Sequence, residues 1–227
     1  MTPSTRRDFL KRSSVGLAAI GASGLLLRAG AVPTPSDGTL HKHRHILDTP
    51  VPDRVRRASL RTGDDWEVTP SDQLGPFHRP GSPFRGKVTP PLEPGGALVV
   101  TGRVWGYDSR EPLPGAVLDV WQADIGGDYE DDLDDVRLRV RIAADEEGYF
   151  EYETIYPGNY GGRPAHIHHI VRHPGYTDLV TQLYFTGDRN NANERINERL
   201  IIDLEEVSAR GGAFRRGVFD IVLAPEA

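Results

Sequence analysis

From Ala97 onward, short apolar-rich runs alternate with clusters of Gly, Pro, Asp and Asn. Ala97 to Trp105 is one hydrophobic run, and Tyr107 to Gly115, with two prolines and a glycine, reads as a turn region. In Ala116 to Gln122 a period of two puts Ala116, Leu118, Val120 and Gln122 on one face and Val117, Asp119 and Trp121 on the other. Both faces are largely apolar, which predicts a strand well inside a sandwich. Arg137 to Ala143 alternates basic with apolar residues, and Asp145-Glu146-Glu147-Gly148 is a hairpin signal before a further strand from Tyr149 to Ile155. His166 to Arg172, Leu179 to Phe185 and Phe214 to Leu223 complete the strands. The one helical candidate lies around Asn191 to Leu200. The pattern predicts an all-β fold, a β-sandwich with irregular loops and little helix.

Composition sharpens this. With 25 Gly and 18 Pro in 227 residues the chain suits a turn-rich β protein, and with no cysteine it can form neither a disulfide, nor a zinc–thiolate site, nor a thiol nucleophile. The first 31 residues read as a segment apart from the fold. Thr5-Arg6-Arg7-Asp8-Phe9-Leu10-Lys11 precedes a small, apolar run from Val15 to Leu27, and Ala29-Gly30-Ala31 offers a cleavage site. This is the pattern of a twin-arginine export signal. The run is about 13 residues, short of the roughly 20 that span a bilayer. The expected organisation is a signal at 1–31, a polar arm at 32–68 and a β-sandwich at 69–227. The arm carries His41, His43 and His45, read as part of a solvated basic linker. Export would place the protein in the periplasm or outside the cell. Removing residues 1–31, which carry a net +4, takes the chain from −6 to −10. Such acidity speaks against nucleic acid or an anionic membrane surface and for a small-molecule substrate.

The chemistry concentrates in Arg163-Pro164-Ala165-His166-Ile167-His168. Two histidines at i and i+2 of an extended segment point to the same side, a geometry for gripping one metal ion. Tyr160, six positions before His166, and Tyr129, in Gly126-Gly127-Asp128-Tyr129, offer phenolate oxygens to the same ion. Two imidazoles with two phenolates suit a hard trivalent metal such as Fe(III). A tyrosine hydroxyl ordinarily titrates near 10, so a phenolate at neutral pH needs a strong Lewis acid. His169 faces the opposite side of the strand and reads as structural. His173 sits at a turn and is expected to be exposed. Tyr149, Tyr152, Tyr156 and Tyr184 read as core or rim residues.

The ordered words Leu118 to Asp124, Gly126 to Tyr129, Asp145 to Phe150, Pro157-Gly158-Asn159-Tyr160, Arg163 to His168 and Thr181 to Phe185 resemble the intradiol ring-cleavage dioxygenases, the family of catechol 1,2-dioxygenase and protocatechuate 3,4-dioxygenase. Thr69-Pro70-Ser71 and Gly75-Pro76-Phe77 resemble that family's opening segment, so the likeness covers roughly residues 69 to 188. The resemblance implies a mononuclear non-haem Fe(III) held by Tyr129, Tyr160, His166 and His168. It implies cleavage of a catechol-type ring by O2, between the two hydroxyl-bearing carbons, to a muconate-type diacid. Tyr160 would be the tyrosine displaced by substrate, serving as a base, and Arg163 would stabilise carbanion character on the ring. Gln182 would orient groups near the iron.

Some features depart from the family. Only five residues separate Tyr160 from His166, so the longer loop of the cytoplasmic enzymes is replaced by Gly161-Gly162, which points to a more open pocket. The acidic stretch from Asp128 to Asp135 reads as a solvated loop. A long helical N-terminal dimerisation region is not expected, and homo-oligomerisation stays open. The competing readings are a non-catalytic transthyretin-like binding module and a protein that binds metal without turnover.

Overall fold

The computed structural model describes residues 66–130, 136–209 and 212–227. The export segment read at 1–31, the histidines of the polar arm and residues 131–135 of the acidic stretch lie outside these. Among the described residues ten strands run in chain order: β1 (Ala97–Gly106), β2 (Val117–Gln122), β3 (Arg139–Ala143), β4 (Tyr149–Ile155), β5 (His166–Arg172), β6 (Leu179–Phe185), β7 (Ile201–Ile202), β8 (Leu204–Ala209), β9 (Gly212–Val218) and β10 (Ile221–Leu223). They form two five-stranded sheets. One pairs in the order β3-β2-β5-β6-β7. The other is built on the long β1, which pairs antiparallel with β4 along one edge and parallel with β9, then β10, along the other. β8 closes that sheet against β9.

The expected single strand from Phe214 to Leu223 is therefore two. Phe219 donates its backbone N–H to Thr101 O, and Asp220 Oδ1 accepts the Arg103 N–H at 2.9 Å, so a carboxylate replaces a backbone carbonyl where the ladder breaks. Strands β7 and β8 were not foreseen; Leu204–Ala209 has no fully buried residue and lies at an edge, where period and hydrophobicity carry little signal. The helical candidate is instead two 3-10 turns, Arg189–Asn193 and Glu198–Leu200, capped by the side chains of Asp188 and Asn197. Asp and Asn compete with a helical backbone in this way.

The main core fills the space between the sheets. Leu98, Val100, Phe150 and Tyr152 meet Leu118, Val120, Ile167, Val171 and Leu183 there. Because side chains alternate along a strand, the same β2, β5 and β6 present a second set of residues on the outer face. Register places Trp121, His168 and Gln182 side by side across three strands, with His166 opposite Tyr184 one step along. This outer face is also buried, because the opening segment and the loops after β2, β4 and β6 fold over it. Trp121, Ala123, Tyr129 and Ile170 form a small second core there, with Phe77 and Val180 against it.

Candidate active site

His166 and His168 project from β5 to the outer face, 2 % and 1 % exposed, with ring centroids 4.8 Å apart. His169 points the other way, into the main core, with Nε2 2.9 Å from the Tyr152 hydroxyl. His173 is half-buried, its ring against Tyr176, and not exposed as expected. Tyr129 reaches the pair from the loop after β2. Its hydroxyl lies 3.2 Å from His166 Nε2 and 3.2 Å from His168 Nε2. Tyr160 stands at the rim, 37 % exposed, with its ring edge-on to Tyr129 at 5.5 Å and to Phe77 at 5.2 Å. Two glycines let the two tyrosine loops meet. A Cβ on Gly127 would lie 2.5 Å from Asn159 O, and one on Gly158 would lie 2.4 Å from Gly127 N and Ile125 O. Any side chain at either position would push the loops apart.

The electrostatics follow from burial. His168 is held well below the usual imidazole range by burial, and then by His166 and Arg163; His166 is lowered mainly by burial. Both rings are therefore neutral. His166 Nδ1 donates to Pro164 O at 2.7 Å, which leaves Nε2 as a bare acceptor facing the Tyr129 oxygen. Burial pushes the Tyr129 phenol up. One phenolic proton serves only one of the two imidazoles, and the nearest other donor to His166 Nε2 is Arg163 Nη1 at 3.3 Å. A cation at the meeting point would satisfy all three lone pairs at once. Among the described residues no group of three or more His, Asp or Glu gathers as a metal site, so any such centre must draw on the tyrosines. The donor set fits a ferric ion, with Tyr129, His166 and His168 converging and Tyr160 at the open side.

Arg163 and Gln182 lie next to this cluster. Arg163 Nη2 donates to Gln182 Oε1 at 3.1 Å, and Gln182 Nε2 donates to Gln73 O at 2.6 Å. Several further residues escaped the sequence. Phe77 stacks on Tyr129 at 4.1 Å and 7°, and Trp121 on His168 at 4.7 Å and 5°. Tyr184, expected only as a packing residue, is buried, but its hydroxyl lies within hydrogen-bond reach of Arg163, Gln182 and Asp72. Glu194 grips Arg163 and in return is held below its ordinary carboxylate range by that contact. Asp188 accepts the Ala165 N–H and the Asn159 side-chain amide. Register on β6 could have pointed to Tyr184, two residues from Gln182 on the same face. Nothing local marks Glu194 or Asp188. A cavity of about 540 Å³ lined by Ile202, Leu204, Arg216 and Phe219 shares no residue with this cluster.

A family described simply as dioxygenase matches residues 85–225. The chain is 34 % identical over 178 residues to 6-chlorohydroxyquinol 1,2-dioxygenase of Cupriavidus pinatubonensis, covering 67 % of this chain and 63 % of that protein. It is 31 % identical over 186 residues to chlorocatechol 1,2-dioxygenase of Rhodococcus opacus, covering 68 % of this chain and 72 % of that one. Among solved structures, the dioxygenase domain of a dioxygenase–carbohydrate-binding protein fusion from Streptomyces sp. SirexAA-E matches at 38 % identity and TM-score 0.62, covering 70 % of this chain and all of that domain. The 3-chlorocatechol 1,2-dioxygenase of Rhodococcus opacus 1CP matches at 28 % identity and TM-score 0.66, with 70 % and 73 % covered. The chain spans about three fifths of the length of the first curated relatives it matches. With its two-sheet fold and the extent of these matches, the chain belongs to the intradiol dioxygenase family.

Proposed function

We propose that this chain is a non-haem ferric dioxygenase that cleaves a catechol-type ring between its two hydroxyl-bearing carbons, using both atoms of O2, to a muconate-type diacid. The observation that carries the reading is the convergence of the Tyr129 hydroxyl on both histidine Nε2 atoms, with Arg163 at the edge. Tyr129, Tyr160, His166 and His168 would hold the iron, which when bound supplies the Lewis acidity that keeps phenol and catechol oxygens deprotonated.

The remaining roles belong to this chain's own residues. Tyr160 stands at the open side and is the phenol best placed to leave and take a catechol proton at its oxygen. Arg163 turns Nη1 toward the site, where N–H dipoles can stabilise negative charge developing on the ring. Gln182 fixes the other side of that guanidinium through Oε1. Phe77, stacked on Tyr129, keeps water from that flank, and exposed Leu74 and Ile125 give the neighbouring surface an apolar character suited to an aromatic ring. Gly161 and Gly162 have open space where side chains would stand, which supports a shortened rim and a wide mouth. The acidity of the chain fits a small substrate better than a polyanion.

The visible spectrum of the purified protein tests this. A tyrosinate–iron charge-transfer band that moves to longer wavelength with anaerobic catechol, and changes in Tyr160→Phe, is the expected result. A colourless protein with no band after ferric reconstitution would leave a β-sandwich binding module as the better account. We also propose export through the twin-arginine route, on the strength of Thr5 to Lys11 and the apolar run after it. Replacing Arg6 and Arg7 by Lys should hold the protein in the cytoplasm, and an unchanged distribution on cell fractionation would refute export by that route.

A further inference from the structure

The guanidinium of Arg163 is gripped unequally. Nε and Nη2 meet the two carboxylate oxygens of Glu194 at 2.5 and 2.9 Å, a bidentate fork. Gln182 Oε1 and the Tyr184 hydroxyl, at 3.1 and 3.3 Å, both sit on Nη2. The nitrogen left over is Nη1, 3.3 Å from His166 Nε2. Gln182 and Tyr184 touch a single nitrogen and so leave the guanidinium plane free to turn about it. Only Glu194 holds two nitrogens, and two parallel N–H···O bonds to one planar carboxylate set both the direction and the tilt of the guanidinium.

The position of Glu194 is itself determined. It follows the 3-10 turn Arg189–Asn193, which Asp188 caps. Asn193 donates to Gly162 O at 2.9 Å and Asn190 to Arg163 O at 3.3 Å. The carboxylate and the arginine are thus carried on two loops tied to each other.

We propose that Glu194 is a positioning residue for Arg163: it takes the Nε/Nη2 edge so that the Nη1 edge is presented to the reacting ring. This rests on the dioxygenase reading above. Without the carboxylate, the arginine keeps its charge and its neighbours but loses its orientation, and oriented donors account for much of such a site's effect.

The test uses the ferric full-length protein. Glu194→Gln keeps the shape and removes the charge. Iron content, thermal midpoint and the anaerobic Kd for catechol should stay within about twofold of the parent, while kcat falls about tenfold or more with KM little changed. In an Arg163→Gln background the same substitution should change kcat by less than about twofold, because the two side chains act as one unit. Glu194→Asp, which keeps a carboxylate, should recover part of the loss. A readout independent of turnover comes from 15N-labelled protein loaded with diamagnetic Ga(III). There the Arg163 Nε–H signal, identified by its loss in Arg163→Gln, should exchange with water at least about tenfold faster in Glu194→Gln.

A parental kcat in Glu194→Gln would overturn the proposal, as would an equal loss with and without Arg163, since a loop staple would give the latter. If Glu194→Gln does not fold, Glu194→Asp in both backgrounds decides by the same criterion. A parent protein that holds iron but never opens a catechol ring strikes down the dioxygenase reading and this role together. An active parent with additive losses strikes down the role of Glu194 alone.

Discussion

The two flanks of the site are built on different physics. On one, flat rings lie against flat rings: Phe77 on Tyr129 and Trp121 on His168, with His78 tilted against Trp121 at 4.8 Å. On the other, Arg163, Glu194, Gln182, Tyr184 and Asp72 form a hydrogen-bonded network, and Asp188 ties down the loop beneath it. The aromatic flank depends mainly on excluded water and contact area, so it should respond to salt and mild acid less strongly than the other. The polar flank depends on charge and direction, and should feel both. One site can thus combine a ligand set fixed by packing with a donor set that is tunable by its neighbours.

Substitutions can break or sharpen this contrast. The largest effect is expected from His168→Ala, which removes a donor of the proposed centre and should weaken ferric iron retention more than about a hundredfold, measured by metal analysis after dialysis. Trp121→Leu leaves every proposed ligand in place but strips the stacked partner from His168. It should cost about 2–4 kcal/mol in chemical denaturation and loosen iron as well. If iron affinity were unchanged, the stack would be core packing and no part of the site.

Gly158→Ala probes the seam between the tyrosine loops. Its Cβ would meet backbone on two sides, and the expected loss is about 1–3 kcal/mol with a shifted visible band, because Tyr160 must move relative to Tyr129. An unshifted band would mean that the loops separate without carrying the phenols.

The smallest effect at neutral pH should come from Asp188→Asn. Burial alone would raise the Asp188 carboxyl, but the amides of Ala165 and Asn190 and the side chain of Asn159 hold it below its ordinary 3.8. A lowered carboxyl contributes stability that is fully present above the unfolded value and lost as pH falls through the folded one. Denaturation curves of the parent should therefore lose stability below pH 3.8 more steeply than those of Asp188→Asn. Equal slopes would place the pH sensitivity of the polar flank elsewhere.

What could be read from the sequence divides along the same line. Alternation fixed β4, β5 and β6 to the residue, since each is long, apolar on at least one face and bounded by turn residues. The same parity put His166 and His168 on one side and His169 on the other. The inference that both faces of β2 are buried also held. The polar flank was legible only in part. Gln182 lies within a strand and Arg163 three residues ahead of one, but Glu194 and Asp188 sit in a segment rich in Asn, Asp and Arg. There local spacing carries no period, and contact with Arg163 spans 31 positions. Such pairings are set by how loops fold over a finished sheet. The exposed edge strand β8 was invisible for a related reason, because without a buried face there is no pattern to see.

The segment that roofs the site has a consequence for how the protein comes apart. Thr69 donates its N–H to Val222 O and accepts the Val222 N–H on Oγ1, a contact between residues 153 positions apart. The same segment continues through Gln73, Gly75 and Phe77 over Gln182, His168 and Tyr129. Pairings of such long separation close late in folding, after the hairpins that need only short loops. Under gentle denaturation the roof should lift while both sheets persist, so that the proposed iron would escape from a protein still largely folded. For this molecule, loss of colour and loss of fold would be separate events, with colour lost first.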